Sequence, residues 1–209
     1  MNDYKSDTMP LSPLQMIYLI GIRHEFQHNG CGSVEENSRE NFISYLENMI
    51  KEHKASLIAE EFSEEALQKS NATISAAKCV ANKLNIKHLF CDPNTKEREI
   101  IGIPSCDEIK KGLAFTKPYL NHGEVKILDA EKKKYFPQRE NFWFEKIEKH
   151  LNEVIIFLCG SDHIKSFESL LIDRGYTPEI LVTPNINVPA SRAKSLDSRE
   201  GGAEGPPSS

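Results

Sequence analysis

The chain has 209 residues, of which 27% are charged and 39% hydrophobic, and its formal net charge at pH 7 is −5. This length accommodates a full hydrophobic core, and the composition is typical of a globular domain and excludes a fibrous or largely disordered chain. Lysine and arginine are interleaved with aspartate and glutamate and form no basic stripe, so we expect no nucleic-acid partner.

Neither a membrane anchor nor a disulfide framework is predicted. The apolar runs at 16–22 and 154–159 are too short to span a bilayer, and the polar residues 1–14 do not resemble a signal peptide. The five cysteines are odd in number and widely scattered, which favours a reducing compartment. We therefore expect a cytoplasmic protein without membrane association, preceded by a flexible leader at 1–14.

In the first half of the chain, apolar runs alternate with helical patterns. The run from Met16 to Ile22 is typical of a strand buried on both faces. Apolar residues between 42 and 50 recur on one helical face, with Ser38 as a suitable cap. Shorter strands are predicted at 56–59 and 86–91, with a second amphipathic helix between them.

The second half begins with a segment that is harder to interpret. Residues 94–136 contain several prolines and glycines, which predicts short helices and loops of a lid-like insertion. A helix is predicted from 139 to 151, a fully buried strand at 154–160, then another helix and a last strand at 178–183. The segment 185–209 has too little apolar surface to pack, so we expect a disordered tail.

This alternation predicts a single α/β domain over 15–184, with a mostly parallel central sheet and helices on both faces. In such a sheet the carboxyl ends of the strands lie at one edge, where binding sites form. One polar group after a strand is ordinary in a loop or a helix cap, but four at one edge predict a site. The four groups are Arg23, His24, Glu25 and His28; Glu60 and Glu61; Asp92; and Ser161, Asp162 and His163.

The residue types in these groups suit hydrolysis. A histidine can take a proton from water, a carboxylate can orient the water or hold a metal, and an arginine can stabilise an oxyanion. Arg139 is the candidate arginine because a helix is predicted to begin there, with Trp143 one turn further along. Strand alternation directs Glu60 and Glu61 to opposite sides, which leaves open which of them is the active carboxylate. The predicted catalytic residues are His24, Glu60, Arg139 and His163, and the predicted binding residues are Arg23, Glu25, His28, Glu61, Asp92, Trp143 and Asp162.

Residues 24–28 also match the His-Glu-x-x-His pattern of zinc peptidases. That pattern requires an α-helix, on which the two histidines lie one turn apart and share a metal. Here Gly21 belongs to a strand-like run before the pattern, and Asn29-Gly30 form a turn after it. We therefore expect the required helix to be missing.

Four short motifs, taken in order, resemble the TraB/PrgY superfamily. They are Gly21-Ile22-Arg23-His24, the strand ending in Glu60, Arg139 through Trp143, and Gly160-Ser161-Asp162-His163. That broad group is similar to the Tiki-type proteases, the erythromycin esterases and the ChaN-like haem-binding proteins. The resemblance implies an α/β sheet with helices on both faces and a site built from His24, Glu60, Arg139 and His163. The Tiki-type enzymes resemble metal-dependent proteases, whereas the esterases use histidine and glutamate to activate water without a metal.

Three functions remain open from the sequence. The first is a hydrolase that acts on an ester, amide or phosphoester of a small molecule or peptide, with water activated directly or on a divalent metal held by His24, Glu60 and His163. The second is a non-enzymatic module that binds a ligand, haem or a metal in the same cleft. The third is the zinc peptidase, with metal held by His24 and His28.

Overall fold

The computed structural model describes residues 16–117 and 119–181 of the chain. The predicted leader at 1–14, the predicted tail at 185–209 and the last residues of the predicted domain lie outside the described residues. Within the described part, no helix is both long and apolar enough to cross a membrane.

Five parallel strands form one sheet, in the order β3-β2-β4-β1-β5. Their bounds are Met16–Ile22 (β1), Leu57–Glu60 (β2), Lys87–Phe90 (β3), Ile155–Gly160 (β4) and Thr177–Leu181 (β5). The predicted parallel α/β sheet is therefore confirmed, and its central strands β1 and β4 are the two most apolar runs of the chain. Their register pairs Ile22 with Gly160, so the carboxyl ends of β1 and β4 lie side by side.

Eight α-helices and three short 3-10 turns connect and cover the strands in the described part of the chain. The helices are Glu36–His53 (α1), Glu64–Lys69 (α2), Ala76–Leu84 (α3), Thr95–Ile100 (α4), Cys106–Gly112 (α5), His122–Lys133 (α6), Phe136–Ile147 (α7) and Ile164–Asp173 (α8). The 3-10 turns are His24–Phe26, Glu148–His150 and Ser161–His163.

Each face of the sheet carries its own hydrophobic core, because successive strand residues point to opposite sides. On one face, Leu19 and Phe157 pack with Trp143 of α7 and Phe167 of α8. On the other face, Ile20 and Ile156 pack with side chains of α1 and α3. The predicted helices on both faces of the sheet are thus confirmed. The face to which a strand residue points decides which of the two cores it joins.

Two predicted helix starts differ from the structure. Helix α1 begins two residues before Ser38, which is buried inside the helix and does not cap it. Helix α7 begins at Phe136, with Pro137 in its first turn, a position that proline tolerates because the N–H there has no partner in the helix. Arg139 therefore lies within the first turn of α7.

The segment 94–136 contains the helices α4, α5 and α6. Each begins with a capping box, in which an asparagine or serine and a glutamate three residues later each bind the other's backbone N–H. The three pairs are Asn94 with Glu97, Ser105 with Glu108, and Asn121 with Glu124. Short helices are confirmed for this segment, and its function as a lid stays a prediction.

Truncation of Phe167 tests the core between α7, α8 and the sheet. The ring is fully buried and lies 4.8 Å from Phe157 and 5.5 Å from Trp143, between ring centroids. Phe167→Ala leaves a cavity there, and we expect the free energy of unfolding to fall by about 3 to 5 kcal/mol in urea titrations. Ile172→Ala, on the same helix but 56% exposed, should change it by about 0.5 kcal/mol or less. Equal effects of the two substitutions would contradict this packing.

Candidate functional site

A cavity of about 680 Å³ lies at the carboxyl ends of β1, β2 and β4. His24, Glu61 and Ser161 line it from the strand ends, and the segment 94–136 supplies much of the remaining lining. The apolar part of that lining consists of Ile22, Ile103, Pro104, Ile109, Tyr135 and Phe136. The predicted edge of the sheet therefore carries a concave site with a polar and an apolar side.

Glu61 is the carboxylate at the centre of this site. Its side chain is only 1% exposed. One oxygen, Oε2, accepts a hydrogen bond of 2.7 Å from the backbone N–H of Gly160. The other, Oε1, lies 2.7 Å from Arg139 Nη2, 3.6 Å from His163 Nε2 and 3.8 Å from His24 Nε2. Oε1 is therefore the atom at which the arginine and the two histidines meet.

Arg139 is held between two carboxylates. Its Nε and Nη2 donate to Asp92 Oδ1 at 3.0 and 2.6 Å, and its Nη1 lies 3.4 Å from His163 Nε2. Burial by itself would lower the pKa of Arg139, but the charges of Glu61 and Asp92 outweigh burial and raise it. The guanidinium is therefore a fixed positive charge beside Glu61.

Asp92 and Trp143 support Arg139 but do not themselves line the cavity. Asp92 Oδ1 also accepts from the indole N–H of Trp143 at 3.2 Å, and Oδ2 accepts from Arg98 at 2.6 Å. Burial alone would raise the pKa of Asp92, but the nearby positive charges of Arg139 and Arg98 lower it overall. These two predicted binding residues are thus placed near the site as supports of the arginine.

His163 is buried and its orientation is fixed. Its Nδ1 lies 2.8 Å from Oε1 of Glu140, and the ring of Phe136 stacks on the imidazole at 3.5 Å between centroids. Glu140 is 2% exposed and also accepts a 2.6 Å hydrogen bond from Ser166 Oγ. Sequence reasoning missed Glu140, although a signal was present: it shares the buried face of α7 with Trp143, Phe144 and Ile147, where a charged residue is unusual.

His24 occupies the first 3-10 turn, directly after β1. Its Nδ1 lies 2.6 Å from the side-chain oxygen of Gln27, which is fully buried. The amide nitrogen of Gln27 donates to the backbone oxygen of Glu61 at 3.2 Å and more weakly to Glu60 Oε2 at 3.4 Å. Gln27 was also missed, because a single glutamine after a strand carries no distinctive pattern.

The structure corrects the predicted grouping of Glu60 with His24, Arg139 and His163. Glu60 points to the opposite side of the strand from Glu61, and it does not line the cavity. There its Oε1 accepts from Ser75 Oγ at 2.5 Å and lies 2.8 Å from His88 Nε2. Strand alternation is the physical reason, and it resolves the placement of the two glutamates: Glu61 is the one beside the arginine and the two histidines.

His28 is likewise not part of the cavity. It forms a backbone bridge with Ser75, its ring stacks on Phe62 at 5.9 Å between centroids, and it is 7% exposed. Burial, with smaller contributions from nearby charges, lowers its pKa. Residues 24–26 form a 3-10 turn and not an α-helix, so the expected absence of the zinc-peptidase helix is confirmed.

The remaining predicted binding residues line the cavity near its charged side. Arg23 forms an ion pair with Glu25, and Asp162 pairs with Lys133 of α6 at 2.9 Å. The Asp162 pair connects the β4 end to the segment 94–136. Arg23, Glu25 and Asp162 are therefore placed where the sequence predicts them.

Two glycines allow the strand ends to approach closely. A Cβ atom on Gly160 would lie 3.1 Å from His24 Nε2 and 3.4 Å from Glu61 Oε2. A Cβ on Gly21 would lie 2.8 Å from Cγ1 of Ile164. Gly160 therefore leaves room for His24 and Glu61, and Gly21 leaves room for Ile164 at the start of α8.

The site does not have the predicted metal-binding arrangement. Because Glu60 faces away from the cavity, the three predicted ligands His24, Glu60 and His163 do not surround a common point. The described residues also contain no group of three or more histidine, cysteine, aspartate or glutamate side chains arranged to hold a metal ion. Glu61 could replace Glu60, but Arg139 Nη2 lies 2.7 Å from its Oε1. A positive charge at that distance opposes a divalent cation.

Asp92→Asn tests the charge network around Arg139. Because the pKa of Asp92 is lowered in the folded protein, its charge stabilises the fold above its usual pKa of 3.8, and this contribution is lost as the pH falls through the lowered pKa. At pH 7 we expect the free energy of unfolding of Asp92→Asn to be about 3 to 5 kcal/mol below that of the wild type, and we expect this difference to shrink below about pH 4. Urea titrations of both proteins from pH 2 to 7 measure it. Asp173→Asn, on the exposed side of α8, is the control. A deficit that does not change with pH would contradict the network.

Comparison with protein-family models, with curated proteins and with solved structures finds no match to this chain. The resemblance to the TraB/PrgY superfamily therefore stays a prediction from four motifs. What the structure adds is their arrangement, since His24, Arg139 and His163 meet at Glu61.

Proposed function

We propose that the chain is a hydrolase that cleaves an ester, amide or phosphoester bond without a metal. One observation carries this proposal: Arg139 and both histidines lie within 4 Å of a single buried carboxylate oxygen, Glu61 Oε1, at the wall of a cavity. A cavity of about 680 Å³ is within the range that encloses small molecules or short peptide segments.

The arrangement supplies three acceptors for one water molecule. The Nε2 atoms of His24 and His163 both lie within 4 Å of Glu61 Oε1, so a water that donates to two of these three atoms is oriented for attack. One histidine accepts a proton from this water while the water oxygen bonds to the carbonyl carbon or phosphorus of the substrate. The same proton then passes to the leaving oxygen or nitrogen when the old bond breaks, and the histidine returns to its neutral form.

Arg139 contributes the positive charge that such a reaction needs. Negative charge develops on the oxygen of the substrate during attack, and a pre-positioned guanidinium stabilises it without reorganisation. Arg139 is held in place by Asp92, so its position does not depend on the substrate. Its ion pair with Glu61 also places the guanidinium directly beside the carboxylate that orients the water.

Two further parts of the proposal rest on the sequence. The motif resemblance supports a hydrolase that uses histidine and glutamate. The glutamate that lies near His24 and His163 is Glu61 and not Glu60. The cytoplasmic location is supported by the cysteines, which form no disulfide among the described residues.

An assay panel with matched variants tests the proposal. Purified protein is offered p-nitrophenyl acetate, bis(p-nitrophenyl) phosphate and a fluorogenic peptide, with and without a chelator. We expect turnover of at least one substrate, unaffected by the chelator, and a fall in kcat of about 100-fold or more in Glu61→Gln and His163→Ala. His150→Ala is the control, because His150 does not line the cavity.

Two results would contradict the proposal. One is turnover that survives Glu61→Gln and His163→Ala, since the activity would then arise elsewhere or from a contaminant. The other is the absence of turnover of every panel compound by the wild type; saturable binding of a panel compound without turnover would then favour the ligand-binding module that uses the same cavity.

A further inference from the structure

The two histidines of the site are held in the same way by different partners. The Nδ1 of His24 lies 2.6 Å from the amide oxygen of Gln27, and the Nδ1 of His163 lies 2.8 Å from the carboxylate of Glu140. An amide oxygen and a carboxylate can only accept here, so each Nδ1 carries the hydrogen. Each Nε2 is then left with a lone pair, and both Nε2 atoms face Glu61.

The partners differ in charge, which makes the two histidines unequal. When an imidazole takes a proton on Nε2, a carboxylate at Nδ1 stabilises the resulting cation, whereas a neutral amide gives much less stabilisation. Burial acts on His163 in two ways, because it disfavours a charged imidazole and strengthens the attraction of such a charge to Glu140. The side chains of His163 and Glu140 are each 3% exposed, while that of His24 is 56% exposed.

The charges around His163 are of both signs. Among the described residues, the charged groups that contact it are Glu61 after β2 and Arg139 and Glu140 on α7. Arg139 is already paired with Glu61 and Asp92. Glu140 contacts His163 and Ser166 but forms no ion pair with a lysine or arginine of the described residues. The imidazole of His163 is therefore the basic group that Glu140 contacts there.

We propose that Glu140 and Gln27 are positioning residues that give the two histidines different tasks. Glu140 makes His163 the proton acceptor of the reaction, and Gln27 orients His24 as a hydrogen-bond acceptor for the water. The assignment of these tasks rests on the proposed hydrolase function, but the effect of Glu140 on the protonation of His163 does not. Glu140 never touches the substrate and acts only through the imidazole.

Glu140→Gln tests this division, with Glu145→Gln on the exposed side of the same helix as the control. The variant keeps the shape and removes the charge. We expect kcat to fall by about tenfold or more with KM changed by about twofold or less, because the base is weakened and substrate contacts are intact. The acid limb of the kcat/KM profile should move to lower pH, because His163 then loses its proton more readily.

A second measurement needs no substrate. In protein labelled with ¹⁵N-histidine, NMR reports which ring nitrogen of each histidine carries a proton across pH 5 to 8. In the wild type we expect neutral His24 and His163 to carry the proton on Nδ1. In Glu140→Gln, His163 should gain its second proton at lower pH than in the wild type, while the curve of His24 stays in place.

The outcomes separate this inference from the proposed function. An unchanged His163 curve in Glu140→Gln, or an equal shift of both histidines, overturns the inference whatever the activity. A proton on Nε2 of neutral wild-type His163 overturns it too, even if the variant fails to fold. If the wild type hydrolyses nothing, the proposed function fails, while a shift confined to His163 still supports control of its proton by Glu140.

Discussion

A buried carboxylate at the end of β2 is the constraint on which this site depends. Placing the charge of Glu61 out of water is costly unless hydrogen bonds and an opposite charge compensate it. The backbone N–H of Gly160 supplies the hydrogen bond and Arg139 supplies the charge. Arg139 in turn needs Asp92, so one buried glutamate fixes the relative positions of β2, β4 and the start of α7.

The fold makes this arrangement possible through its strand order. β4 lies between β2 and β1, so the residues that follow these three strands are neighbours although they are far apart in the chain. The 3-10 turns after β1 and β4 then bring one histidine each to the carboxylate, and Gly160 leaves room for His24 and Glu61 beside it. The buried partners of the histidines, Gln27 and Glu140, complete a site whose geometry is set before any substrate enters.

Much of the fold could be predicted from the sequence, because the apolar runs of β1 and β4 are long and unambiguous. The edge that carries the site could be predicted as well, since polar residues follow four of the predicted strands. What the sequence left open was Glu60 against Glu61, because these two adjacent residues face opposite sides and the pattern does not tell which side faces the site. The helices of 94–136 were hard to place, although their three capping boxes were a readable signal. Gln27 carries no distinctive pattern, and Glu140 reaches His163 through a contact across the fold that the spacing along the chain does not reveal.

The central claim is that Glu61 and Arg139 are directly coupled, and a double-mutant cycle tests it most directly. The free energy of unfolding is measured in urea for the wild type, Glu61→Gln, Arg139→Gln and the double variant at pH 7. Since the two groups lie 2.7 Å apart and are buried, the account predicts a coupling energy of about 1 to 3 kcal/mol. Additive effects, with a coupling energy near zero, would contradict it.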